Sequence, residues 1–233
     1  MTESNRYWAV VPAAGVGRRM GGDIPKQYLS LNDRPVIEHT LGRLTGHAAI
    51  SKVLVALAAD DGWWPETTFA DHANVVRVDG GTERCHSVLN ALRYLSEFAD
   101  YRDWVLVHDA ARPCLRANDI DRLIERLSEH PVGGLLGMPV RDTMKRADGS
   151  GQVKDTVCRE NLWHAFTPQM FRLGPLRDAL STALEQGSLV TDEASAMELA
   201  GQPPMLVEGH PDNIKITRPE DLPLAAFYLS QQG

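Results

Sequence analysis

The chain has 233 residues and a formal net charge of -7, with 43% hydrophobic and 24% charged residues. That is the make-up of an ordinary soluble globule with ample core, and the negative balance excludes a protein that coats nucleic acid, so any basic site is local. No apolar run approaches the ~20 residues of a membrane helix, the first eight residues lack the apolar core of a secretion signal, and Cys85, Cys114 and Cys158 are unpatterned, as reduced cytoplasmic thiols would be.

Residues 8–11 (Trp-Ala-Val-Val) predict a buried strand that stops at Pro12, Ala13 and Ala14. Gly15 and Gly17 come next, then Arg18, Arg19 and Lys26. Small residues let backbone N–H groups close on an anion, and a loop that carries its own cations suits a polyphosphate. The glycines alone would equally serve the geometry of a strand-to-helix turn. A dinucleotide fingerprint needs a third glycine where Met20 stands, and a ribose-binding acid at a strand end about 20 positions on; Glu38 falls in a helical pattern instead. A Walker loop needs Gly-Lys-Ser/Thr, which is absent here.

Further along, residues 35–44 have helical spacing behind Asn32 or Asp33 as a cap, and 52–57 form a short apolar strand. Another strand, 75–78, ends at Asp79-Gly80-Gly81, where Thr82 is the expected cap of a helix facing inward through Val88, Leu89, Leu92 and Leu95. A strand at 104–107 ends at His108-Asp109-Ala110-Ala111-Arg112-Pro113. Asn118 or Asp119 opens the next helix, and 135–140 is a fifth strand. This alternation of continuous apolar strands and helices predicts an α/β, doubly wound, mostly parallel sheet. Ligands of such sheets lie beyond the carboxyl ends of the strands. Gly15, Gly81 and Asp109 all fall there.

Residues 141–160 break the pattern. Two polar strands around a glycine turn at 147–152 read as a hairpin with little apolar surface. Such a hairpin is marginal alone, so it is expected to project as an arm and gain stability from a partner chain; a loose surface hairpin is the plainer reading. The chain returns through 163–168 and enters a helix with Pro175 early in it. Thr191 or Asp192 caps another helix that stops at Gly201. Strands around 205–207 and 214–216 precede a last helix introduced by Thr217-Arg-Pro-Glu-Asp221. The chain shows no repeat and no linker: one domain, 1–233, with a β-arm at 139–161.

Several segments together resemble one family. They are 11–20 (Val-Pro-Ala-Ala-Gly-Val-Gly-Arg-Arg-Met), 25–28 (Pro-Lys-Gln-Tyr), 79–81 (Asp-Gly-Gly) with Arg84 and Ser87, and 107–113 (Val-His-Asp-Ala-Ala-Arg-Pro). Also matching are 139–145 (Pro-Val-Arg-Asp-Thr-Met-Lys), 167–169 (Thr-Pro-Gln), 191–194 (Thr-Asp-Glu-Ala) and 212–215 (Asp-Asn-Ile-Lys). Their joint order is similar to that of the 2-C-methyl-D-erythritol 4-phosphate cytidylyltransferases of the non-mevalonate isoprenoid pathway, in the form without a fused cyclase. The resemblance implies a nucleotidyltransferase-like Rossmann-type domain that transfers CMP from CTP to methylerythritol phosphate and releases pyrophosphate.

It further implies roles for particular residues. Arg19 and Lys26, with Lys215, act on the transferring phosphoryl group. Pro12, Ala13, Ala14, Gly15, Gly17, Arg18, Gly81, Ser87, Asp109 and Ala110 bind CTP, and Asp109 holds a magnesium ion. Arg112, Thr143, Arg159, Thr191 and Lys215 hold methylerythritol phosphate. The arm clasps a second subunit, and Thr143 and Arg159 reach the neighbour's site. Nucleic acid and membranes are not expected partners. Ser87 by itself is weak evidence, since a serine in a helix's first turn often just satisfies backbone groups. Thr82 is a departure, as some relatives carry Asp there. The nearest rival acceptor is ribitol 5-phosphate, whose enzymes have a loop more like Leu-Ala-Gly-Gly and lack Ala-Ala-Arg-Pro.

Overall fold

The computed structural model describes residues 6–15 and 24–232. In chain order its elements are β1 (Tyr7–Pro12), β2 (Ser30–Leu31), β3 (Arg34–Pro35), α1 (Val36–Thr45), β4 (Ile50–Leu57) and β5 (Val75–Asp79). Then come α2 (Arg84–Leu95), β6 (Trp104–Val107), α3 (Ala117–Leu127), β7 (Gly133–Pro139), β8 (Met144–Ala147) and β9 (Val153–Val157). The chain closes with β10 (Trp163–Arg172), α4 (Leu173–Glu185), α5 (Glu193–Leu199), β11 (Met205–Glu208) and α6 (Asp221–Gln232).

Seven of these strands form one sheet in the order β11-β7-β10-β6-β1-β4-β5. All of its pairs are parallel except the two that β10 makes, with β6 and with β7. Alternate residues of each central strand serve opposite faces. Ala9, Val11, Val53, Val55 and Leu106 meet Leu41, Leu44, Leu123 and Leu127 of α1 and α3 on one side. Val10, Leu54, Ala56, Val105 and Val107 meet Val88, Leu92, Leu176, Leu180 and Met197 of α2, α4 and α5 on the other. Each Val, Leu or Met among them contributes roughly 1.5–3 kcal/mol by leaving water. The strands are therefore apolar on both faces, which is why they read as continuous runs.

The sequence pattern is borne out for the central strands and most helices, and corrected at several connections. Asn32 and Asp33 do not cap α1. Both have positive φ (48° and 60°) and form the two-residue turn of the β2–β3 hairpin, a conformation that short polar side chains tolerate best. Thr82 is not the cap of α2: the helix begins after Glu83, no side chain caps it, and the Thr82 hydroxyl meets His86 Nδ1 at 3.2 Å. Asn118 and Asp119 lie inside the first turn of α3, not ahead of it. Asp119 is instead buried and accepts from the His210 backbone N–H and ring.

Two strand assignments change as well. Residues 163–168 continue to Arg172 as β10, a strand that the proline at 168 concealed, since proline has no N–H for a ladder. Pairing with β7 shifts register between Ala165 and Gln169, on either side of that proline. Residues 214–216 form no strand. They cross the ends of the sheet instead, where Ile216 is fully buried in a small third core with Leu31, Val36 and Ala225, and its N–H donates to Ala111 O. The α5 expectation holds: Asp192 caps it reciprocally with Ser195, and Gly201 follows with φ of 72°.

β8 and β9 pair only with each other, as a separate two-stranded sheet with mostly exposed residues. In the main sheet, β1 pairs with β4 on one side and β6 on the other. The chain leaves β1 towards β4 and β5, then returns across it to β6. At such a reversal the loops beyond two adjacent strands part, and a crevice opens at their carboxyl ends.

Candidate active site

A cavity of about 520 Å³ occupies that crevice. Its wall is made by Pro12 to Gly15 after β1, Lys26 and Gln27, Gly81 to Arg84 with Ser87, Asp109 to Ala111 after β6, and Lys215 and Thr217. Lys26, Ser87 and Asp109, far apart in sequence, therefore share one hollow.

Close backbone approach builds one end. A Cβ on Gly80 would stand 2.4 Å from Ala14 Cβ, and one on Gly81 would stand 2.3 Å from His86 Cβ. Only glycine lets this turn pass between β1 and the start of α2. The Gly81 N–H donates to Ser87 Oγ at 2.9 Å, and the Ser87 hydroxyl donates to Glu83 O at 3.2 Å. Along the wall, the buried Gln27 amide donates to Ala13 O at 2.8 Å. That bond pins residues 25–28 to the end of β1 and sets Lys26 beside it, where Lys26 Nζ reaches Ile216 O at 3.4 Å.

The opposite wall is electrostatic. Asp109 receives Arg84 Nε at 3.0 Å and Lys215 Nζ at 2.8 Å, with Arg112 Nε at 3.6 Å. Burial alone would raise this carboxyl's pKa; the three cations outweigh it and hold the group well below the ordinary carboxylate range. Arg112 is fixed behind Asp109 by donating to Asn213 O at 2.7 Å and by stacking on Phe166, 5.1 Å to the ring centroid. Beneath them His108 is fully buried. Its Nε2 faces Arg112 O at 3.0 Å, an atom that only accepts, so Nε2 carries the proton and Nδ1 accepts from the Thr167 hydroxyl at 2.9 Å. Burial pushes His108 down to about 4 and keeps it neutral. Thr167 Oγ1 in turn accepts the Asp109 N–H at 3.0 Å, which orients the loop.

Of the residues expected at a nucleotide site, Pro12, Ala13, Ala14, Gly15, Lys26, Gly81, Ser87, Asp109, Ala110 and Lys215 all line the cavity. Gly17, Arg18 and Arg19 lie outside the described residues. Arg112 stands behind the wall. Thr191 is exposed one residue before the α5 cap, and Thr143 and Arg159 are exposed near the hairpin, where Arg159 Nη1 donates to Arg141 O. None of these three lines the cavity.

Arg84 and Gln27 line the cavity and were not singled out as site residues in the sequence. A signal for Arg84 did exist. A cation in the first turn of a helix opposes the helix dipole, so an Arg there points to acidic partners. These are Asp109 and the fully buried Glu193, which takes Nη1 and Nη2 at 2.7 and 3.0 Å.

Cations collected beyond the strand ends at the switch point of a mostly parallel sheet suit a phosphorylated ligand, and the nucleotidyltransferases are one class of enzyme built this way. The family model described as IspD, 2-C-methyl-D-erythritol 4-phosphate cytidylyltransferase, matches residues 7–231, and the chain belongs to that family. A Vibrio vulnificus protein named 2-C-methyl-D-erythritol 4-phosphate cytidylyltransferase is 57% identical, with 96% of this chain and 94% of that protein covered. A Hahella chejuensis protein of the same name is 54% identical, with 97% and 94% covered. The crystal structure of the Francisella tularensis 2-C-methyl-D-erythritol 4-phosphate cytidylyltransferase superposes with a TM-score of 0.84 at 36% identity, over 96% of this chain and 99% of that one.

Proposed function

We infer that this cavity performs the reaction for which the family is named. A phosphate oxygen of 2-C-methyl-D-erythritol 4-phosphate attacks the α-phosphorus of CTP. The bond to the β-phosphate breaks, pyrophosphate leaves, and 4-diphosphocytidyl-2-C-methyl-D-erythritol is formed. The observation that carries the reading is the convergence of Ser87, Lys26, Asp109 and Lys215 on one hollow at the switch point of the sheet.

The division of labour follows from the chemistry. Negative charge grows on the oxygens around the α-phosphorus, so fixed cations and positioning supply most of the acceleration. Lys26 and Arg19, with Arg18 and the Gly15–Gly17 backbone, hold the triphosphate. Lys215 serves the transferring group and the acceptor. The backbones of Ala13 and Ala14, the Gly81 N–H and the Ser87 hydroxyl read the cytosine edge. Ser87 and Gly81 satisfy each other in the free protein, so cytosine has to offer equivalent bonds to replace that pair. A base with a different edge would leave that pair intact, so its own edge groups would be desolvated without partners, at a cost of about 1–3 kcal/mol per buried group.

Among the described residues no group of three or more His, Cys, Asp or Glu side chains could cage a metal. One buried carboxylate, Asp109, lies on the wall. This donor set fits a magnesium ion that takes most of its ligands from water and phosphate oxygens. Asp109 would hold it, and the ion would neutralise charge on the phosphates. On the acceptor side, Arg112 and Thr191 act with Thr143 and Arg159, the latter two supplied by the 139–161 arm of a second subunit in a homodimer. Among the described residues no helix is long and apolar enough to cross a membrane; with soluble phosphorylated substrates, the cytoplasm is the assigned compartment.

Ribitol 5-phosphate is the disfavoured acceptor, since the family model and these relatives are all named for methylerythritol phosphate. Pyrophosphate release from each of the four common nucleoside triphosphates, with either acceptor, tests the assignment. CTP with methylerythritol phosphate is expected to be fastest. Equal rates with ribitol 5-phosphate, or with UTP, would overturn it.

A further inference from the structure

Glu193 does not line the cavity, yet its carboxylate is aimed at it through one intermediary. It is 0% exposed in the first turn of α5 and accepts both terminal nitrogens of Arg84. The third Arg84 nitrogen, Nε, donates to Asp109 Oδ1. A guanidinium forked onto one carboxylate and bonded at Nε to a second cannot rotate without breaking three charge-assisted bonds. Oδ1 of Asp109 is thereby held on the Arg84 side, and Oδ2 faces Lys215 at 2.8 Å.

Neither helix needs this pair to stay in place. α5 already has a reciprocal cap between Asp192 and Ser195, and its Ala194 N–H donates to Gln169 Oε1 at 2.8 Å. α2 is anchored by buried Val88, Leu89, Leu92 and Leu95. A buried ion pair is also a poor source of stability, because desolvation offsets most of its attraction. Placing a cation at the start of a helix adds a further cost. A stabilising role therefore leaves the choice of residues unexplained, whereas a role in holding Asp109 explains both.

We propose that Glu193 is a positioning residue for nucleotidyl transfer: by clamping Arg84 it fixes the Asp109 carboxylate, and with it the place from which Lys215 meets the substrates. The proposal rests on the reading that this cavity binds CTP. Because α5 begins two residues after Thr191, the same clamp joins the acceptor side of the site to the nucleotide side.

The test compares wild type, Glu193→Gln, Arg84→Lys and Glu193→Gln/Arg84→Lys for kcat and for both KM values, beside the Arg84 Nε–H resonance in 15N NMR of the full chain. Lysine keeps the charge but cannot fork onto Glu193 and reach Asp109 together. Each single variant is expected to lower kcat by roughly 10-fold or more, with both KM values changed less than threefold. The double variant should be no slower than Arg84→Lys, since both act on one unit. A hydrogen-bonded Nε–H signal, identified by its absence from Arg84→Lys, should broaden or shift in Glu193→Gln. Wild-type kcat in either single variant, multiplying losses in the double, or an unmoved Nε–H signal would each overturn the proposal. If Glu193→Gln does not fold, Glu193→Asp, which keeps the charge but is one methylene too short to hold the fork in place, takes its part in the same comparison, and wild-type kcat there would overturn the proposal. A wild-type protein inactive with CTP and methylerythritol phosphate would overturn the functional reading instead, and the NMR comparison would still judge the clamp.

Discussion

Lys215 Nζ lies 2.8 Å from Asp109 Oδ2, so the irregular segment after β11 is tied by one ion pair to the loop that follows β6. Arg84 and Arg112 face the same carboxylate, which is only 10% exposed at its side chain. Replacing Asp109 by Asn leaves three cations around a neutral amide. The expected loss is about 3 kcal/mol of stability, as for other broken buried pairs. Urea unfolding measures it, and an unchanged midpoint would show that the cluster is slack.

Lys26 is carried on a segment that Gln27 anchors to Ala13 O, so its side chain can be cut back without releasing that anchor. Lys26→Ala is expected to lower kcat by roughly 10²–10³, the loss typical of a group that stabilises developing charge. A matching melting temperature would place the loss in chemistry. Unchanged kcat would remove Lys26 from the reaction.

His108 makes stability depend on pH. Its folded pKa of about 4 lies below the ordinary 6.5, so in that window the unfolded chain binds the extra proton. The stabilisation from neutral His108 is complete above 6.5 and is lost as pH falls from there through 4. The stability difference between pH ~7 and pH ~5 should be about 2 kcal/mol from this group. His108→Gln keeps a donor for Arg112 O and should flatten that slope in urea titrations; an identical slope would assign it to other groups.

The Arg159 side chain is exposed, and its one hydrogen bond among the described residues is to Arg141 O. If it completes a neighbour's acceptor pocket, Arg159→Ala raises KM for methylerythritol phosphate more than KM for CTP. Mixing Arg159→Ala chains with Lys26→Ala chains should then restore some activity, through one repaired site in each mixed dimer. Absence of rescue would mean that each site is built within one chain.

The central sheet was legible because strands buried on both faces, such as Trp104–Val107, are apolar without a break. Residues whose role is set by tertiary neighbours were not. Asn32 and Asp33 look like helix caps and turn out to be hairpin residues, since one short polar side chain suits both tasks. β10 carries a proline that argues against a central strand, and the sheet accommodates it with a register shift. In the site, Gly15, Gly81 and Asp109 announced themselves at strand ends. Arg84 did not, because its meaning depends on Glu193, which the fold brings from a distant helix.

A crystal structure of the protein with CTP and magnesium tests the account most directly. Cytosine is expected against Gly81 and Ser87, with the triphosphate running past Lys26 towards Asp109 and Lys215. A nucleotide bound with its base at the Lys215 end, or outside this cavity altogether, would contradict it.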